Sequence, residues 1–140
     1  MRVMIDTNVL LDALANREPY VAASSAILLA AAKGEIDLLI SASAITDLYY
    51  LVRKHLRDSD EARDVLRDVM DLIDIVQVGK VECHQALELP MTDFEDALLV
   101  CCAKNSGAEY IITRNLKDFK NSPVEAIEPA LFLAKFFAKE

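Results

Sequence analysis

Four acids stand where acid chemistry would be done: Asp6, Asp47, Asp96 and Asp118. Asp6 ends the apolar run Arg2–Ile5. Asp47 lies early in a helical stretch that follows a second apolar run, 37–40. Asp96 lies in the first turn of a helical stretch that begins after Pro90. Asp118 sits in a short turn behind the polar cluster Thr113-Arg114-Asn115. In a parallel sheet such strand ends share one edge, and ligands of open α/β sheets bind there. Three or four carboxylates meeting on that edge would make a hard, oxygen-only site suited to Mg²⁺ or Mn²⁺. Their mutual repulsion would favour a bound cation that keeps them ionised.

Each acid also has a plainer use. Asp6 can cap the helix that follows it, and Asp47 can sit favourably in the field of a helix N-terminus. Asn115 and Asp118 can close a turn. Asp96 is harder to explain this way. The segment Phe94–Ala103 is apolar almost all round after Asp96, so that acid enters the interior and needs a partner or a metal. Asp93 is a ready N-cap three residues earlier. Asp47 is expected to be only part exposed, and Glu95 to face solvent.

Other chemistries find little support. His55, His84, Cys83, Cys101 and Cys102 show no zinc-ligand spacing. Cys83-His84 reads as an ordinary helix pair, and Cys101-Cys102 as small core residues. Only 3 glycines are present, and no phosphate-cradling loop or Gly-x-Ser-x-Gly elbow occurs.

The elements that must position the acids alternate. Strands are expected at 2–5, 37–40, 73–78, 110–113 and 123–127. Helices are expected at 8–15, 20–33, from Ser41 or Ser43 to 56, at 61–72, 80–87, from Thr92 or Asp93 to 106, and from Pro129 onward. Gly34 and Gly107 fit helix C-terminal caps. This alternation implies an α/β fold of three layers around a mainly parallel sheet, in a single domain over 1–140. Periodicity does not order the strands.

The chain has 140 residues, 54% of them hydrophobic, which suits one packed core. No apolar run approaches the ~18 residues that span a bilayer, and the start lacks a signal-peptide pattern. Three cysteines do not make a disulfide framework, so a cytoplasmic location is expected. The net charge of −8 argues against a basic surface for phosphate backbones. The candidates for phosphate contact are Arg53, Lys54 and Arg57 on one helix and Arg114, Lys117 and Lys120 near the last motif.

Together, Asp6-Thr7-Asn8, Asp47 after Ser-Ala-Ser-Ala-Ile-Thr, Phe94-Glu95-Asp96-Ala97, and Ile112-Thr113-Arg114-Asn115 with Asp118-Phe119 resemble the PIN-domain family, in particular its VapC-like toxins. The resemblance implies strand order 3-2-1-4-5 and a metal-dependent endoribonuclease, the toxin of a type II toxin–antitoxin pair. It carries metal ligation and catalysis onto Asp6, Asp47 and Asp96. Thr7, Asn8, Asp93, Thr113, Arg114 and Asn115 become supporting or substrate contacts. Two departures stand out. Asp47 occupies a position where the family usually has Glu. Asn115 occupies a turn where many members have Asp, with Asp118 nearby, so either of the two is open as the completing residue. The implied partners are RNA, an antitoxin protein and a second copy of the chain, with no membrane. Two rivals are a phosphoacceptor receiver-like domain and a PIN-like module that binds partners without cleaving. The first lacks its acids: Val78-Gly79-Lys80 ends the third strand without Asp.

Overall fold

Apolar residues run without a polar break through Val3-Met4-Ile5, Leu38-Leu39-Ile40 and Ile111-Ile112, and all are buried. A strand covered on both faces requires this, whereas a half-exposed strand would alternate. In the computed structural model, which describes residues 1–137, these runs form the centre of a five-stranded sheet. The last three residues of the expected domain, 138–140, lie outside the described residues. In chain order the elements are β1 (Arg2–Ile5), α1 (Thr7–Leu14), α2 (Val21–Ala32), β2 (Asp37–Ser41), α3 (Ala42–Leu56), α4 (Ser59–Leu72), β3 (Asp74–Val76), α5 (Lys80–Glu88), α6 (Phe94–Asn105), β4 (Tyr110–Ile112), β5 (Glu125–Ile127) and α7 (Pro129–Phe137). A single 3₁₀ turn, Leu116–Phe119, lies between β4 and β5.

The order is β3-β2-β1-β4-β5, with every pairing parallel. It is the order that the family resemblance implies. Side chains alternate between two cores. Val3, Ile5, Leu38, Ile40 and Ile112 pack with residues of α1 to α4 and α7. Met4, Leu39 and Ile111 face the other way, onto Leu99, Val100, Cys102 and Ala103 of α6 and onto Phe119. Helices thus cover both faces, which gives three layers.

Local chemistry explains the element ends. Gly34 (φ +73°) and Gly107 (φ +74°) sit just past α2 and α6 in the left-handed region. At each, the N–H after the glycine reaches back to close the helix: Glu35 to the Ala30 carbonyl at 2.9 Å, and Ala108 to the Ala103 carbonyl at 2.9 Å. This glycine-dependent stop turns the chain into β2 and β4. Asp58 caps α4 by accepting from the N–H of Asp60 and Glu61. Three strands are shorter than expected, β4 by one residue because it stops at Ile112. β3 ends at Val76, because Gly79 already starts α5, where its N–H donates to Glu82 at 2.8 Å. β5 begins at Glu125, because Pro123 has no N–H to donate and the Ser122 hydroxyl engages Val124 instead.

Candidate active site

Asp6 leaves the carboxyl end of the central strand and occupies the N-cap position of α1, yet its side chain makes no capping bond. Its backbone N–H continues the sheet, donating to the Ile112 carbonyl at 3.0 Å. Its carboxylate instead accepts from the Thr113 hydroxyl, at 2.9 Å. Thr113 is fully buried, and its oxygen also accepts from the N–H of Asn115 at 3.1 Å. One hydroxyl therefore fixes both the acid after β1 and the turn after β4. The sheet runs outward in opposite directions from β1 and β4, which is where a crevice forms in open α/β sheets.

Asp93 caps α6, accepting from the N–H of Asp96 at 3.0 Å. That bond sets the first turn of α6 beside the crevice. The result is a cavity of about 380 Å³ with five acids in its wall: Asp6, Asp47, Asp93, Glu95 and Asp96. Thr7, Asn8 and Asn115 add neutral polar groups, and Tyr50 and Leu51 close the side formed by α3.

The acids disturb one another. Burial, with the charges of Asp93, Asp6, Asp118 and Glu95 behind it, pushes the Asp96 carboxyl up to about 6. Burial also raises Asp6, against the opposing pull of the Thr113 hydroxyl, the Thr7 backbone and Arg114. Glu95 is raised first by burial and then by the negative charge of Asp47.

Several sequence expectations change here. Asp47 is exposed rather than partly covered: Leu48 and Val52 take the core side of α3 and leave Asp47 at the cavity rim. Glu95 is exposed, as expected, and it also lines the cavity. The first turn of α6 lies at the open end of the crevice, so Glu95 faces Asp47 across it. Of the two candidates in the last motif, Asn115 lines the cavity; Asp118 is not in its wall and acts on Asp6 and Asp96 only through its charge. Asp96 is half-buried, less enclosed than the apolar helix suggests, because it stands at the helix's open end. Arg114 turns away from the cavity. Its Nε and Nη2 donate to Asp12 at 2.7 and 3.2 Å.

Asp12 is the residue that sequence reasoning missed. It is fully buried, paired with Arg114 and 3.7 Å from Arg17. The local signal was an acid on the apolar helix Val9–Leu14; its main partner is 102 positions away.

The donor chemistry suits a hard cation: carboxylates, amides and hydroxyls face the cavity, and no thiol or imidazole does. Burial pushes the Cys102 thiol up to about 11, as befits a packed core residue. Among the described residues no three His, Cys, Asp or Glu side chains are placed so that together they could hold one metal ion. An open wall of carboxylates fits Mg²⁺, which keeps several waters and uses only one or two carboxylates.

The sequence profile of the family described as PIN domain matches residues 2–117. The chain belongs to the PIN-domain family. Ribonuclease VapC1 of Aquifex aeolicus (strain VF5) is 30% identical to it over 143 residues, covering 96% of this chain and 95% of that protein. The structure resembles VapBC2 from Rickettsia felis, solved bound to a DNA fragment from their promoter, with a TM-score of 0.71 at 22% identity over 91% of this chain and 98% of the other. It also resembles Mycobacterium tuberculosis VapC20, described as a sarcin-ricin loop cleaving toxin, with a TM-score of 0.68 at 12% identity over 91% and 99% of the two chains. At these identities the two structures attest the fold alone. All five acids of this PIN domain's cavity fall within the profile match, whereas Asp118 lies one residue beyond it.

Proposed function

We propose that this PIN domain, taken as one unit over 1–140, is an endoribonuclease that hydrolyses RNA phosphodiester bonds at the acid cavity with Mg²⁺ or Mn²⁺. The observation that carries this reading is the five-acid wall at the switch point of the sheet, where Asp6, Glu95 and Asp96 are all held back from ionising. Such a wall calls for a cation, because a phosphate, itself an anion, would react among these acids only with one present.

In this reading Asp6 and Asp96 hold the ion and Asp47 completes its surroundings from across the cavity. When bound, the ion lowers the pKa of water and offsets charge that grows on the phosphate. The chain does the rest. Thr113 holds the Asp6 carboxylate in one orientation. Asp93 fixes the backbone of Asp96. Glu95 takes up the proton of the attacking water, a task suited to a carboxylate with a raised pKa. Asn8 and Asn115 donate amide N–H groups to phosphate oxygens. Water attack leaves a 5′-phosphate and a 3′-hydroxyl.

The kinship with VapC1 and the likeness to VapBC2 support a role as the toxin of a toxin–antitoxin pair. A groove of about 650 Å³ between α3 and α4 supports the antitoxin partner. Ile45, Tyr49, Leu66 and Met70 give it an apolar floor, and Arg53, Arg63 and Arg67 a basic rim. An apolar segment with acidic residues fits it. Tyr50 lines both this groove and the acid cavity, so a chain seated there would reach the active site. Exposed Leu29 and Leu131 support a homodimer through α2 and α7. Three free cysteines fit a cytoplasmic location, and among the described residues no helix is long and apolar enough to cross a membrane.

The deciding experiment is cleavage of labelled RNA by the wild-type chain and Asp6→Asn, each with Mg²⁺ and with excess EDTA. Cleavage by the wild type in Mg²⁺ alone supports the reading. Equal cleavage by the variant, or full activity in EDTA, refutes it.

A further inference from the structure

Arg114 and Tyr20 build a second concavity beside the 113–115 turn. It has a volume of about 350 Å³, with Pro19, Tyr20, Arg114, Glu128 and Pro129 in its wall. The Arg114 guanidinium lies 4.0 Å from the centre of the Tyr20 ring. Two of its nitrogens are held by Asp12, which is fully buried, so the guanidinium plane is fixed before anything binds. The Asp12 pair accounts for where Arg114 is anchored. It does not account for the tyrosine ring beneath it, which stays 41% exposed at the mouth of a concavity. Glu128 is exposed at the same rim and can only accept hydrogen bonds when ionised.

We propose that this ledge binds a nucleobase of single-stranded RNA next to the scissile phosphate, with the base stacked on the Tyr20–Arg114 surface and its edge read by Glu128. The proposal rests on the ribonuclease reading and adds a specificity site to it. Unpaired bases are recognised by stacking on aromatic rings or guanidinium planes and by hydrogen bonds to their edges. The carboxylate of Glu128 favours guanine, whose N1–H and N2–H₂ offer two adjacent donors. The placement is consistent with one strand crossing the turn. Thr113 bonds Asp6, Asn115 lines the acid cavity, and Arg114 between them lines the ledge. The proposal seats a neighbouring base beside Tyr20 when a phosphate lies at the acids.

The chain contains no tryptophan, so Tyr20→Trp places a single fluorescent indole on the ledge. Short single-stranded oligoribonucleotides are titrated in EDTA, where binding is read without cleavage. Saturable quenching is expected, tighter for oligomers with guanine. Anisotropy with labelled oligomers should show Tyr20→Ala binding about 10- to 100-fold more weakly, the range set by loss of one base stack, and Tyr20→Phe within about threefold of wild type by the same measure, because the ring is kept. Glu128→Gln should lose the preference for guanine. Absence of quenching overturns the ledge, as does equal weakening by Tyr20→Phe and Tyr20→Ala, or an indole that answers an acidic, apolar peptide and not RNA. The two readings fail separately. RNA that binds the ledge but stays intact in Mg²⁺ sinks the ribonuclease, whereas RNA cleaved by a chain whose ledge variants bind like wild type sinks the ledge.

Discussion

Asp96→Asn is expected to make the metal-free protein more stable while removing its activity. The Asp96 carboxyl is pushed from 3.8 to about 6 by burial and by Asp93, Asp6, Asp118 and Glu95. Each pKa unit corresponds to ~1.4 kcal/mol, so the full shift sets a ceiling of about 3 kcal/mol. Asp96 is half-buried beside an open cavity, and solvent screening reduces that to about 1 kcal/mol. The sign follows from proton linkage. Between pH about 4 and 6 the folded chain keeps a proton that the unfolded chain has lost, so stability falls as pH rises through that window. Asparagine cannot ionise and escapes the loss. Thermal unfolding in EDTA should show the two proteins converging near pH 4 and the variant melting about 3–5 °C higher at pH 7.5. Millimolar Mg²⁺ should then raise the wild type and leave the variant almost unmoved, since only a ligand that binds the folded site shifts the midpoint. Cleavage by the variant should fall by at least ~100-fold, the loss of a metal ligand. A variant no more stable than wild type at pH 7.5 in EDTA, with a difference that does not vary with pH, would refute the reasoning.

Other perturbations separate fold from chemistry. Asp6→Asn should lose cleavage and keep its circular dichroism spectrum, since the Asp6 side chain makes no capping bond for α1. Arg114→Ala leaves Asp12 buried with only the more distant Arg17, so urea unfolding should show a loss of about 3–5 kcal/mol. Arg17→Ala removes a pair at 3.7 Å whose arginine side chain is 44% exposed, and should cost no more than ~1 kcal/mol in the same assay. Thr113→Val deletes the hydroxyl that pulls the Asp6 pKa down, so that pKa rises further. The acidic limb of the pH–rate profile should then move to higher pH; an unmoved limb would show that Asp6 ionisation does not govern the rate.

The sequence by itself determined what depends on a few neighbouring residues. The apolar runs 2–5 and 37–40 mark strands buried on both faces, and the structure places them in the centre of the sheet. Gly34 and Gly107 mark helix stops, and Asp93 marks a cap, because these need only one left-handed residue or one bond to the next turn. The motifs around Asp6, Asp47 and Asp96 were legible for the same reason, since each sits at a fixed step from the end of an element. The strand order came from kinship and not from periodicity. Only the tertiary structure decided how side chains from different elements face one another. It turned Glu95 toward Asp47, chose Asn115 over Asp118 for the cavity wall, left Asp47 at the rim and paired Asp12 with Arg114 across 102 positions. Those outcomes depend on the rotation of each helix about its axis and on which strand ends become neighbours. Both are set by how the two cores pack against the sheet, which no short stretch of the chain encodes.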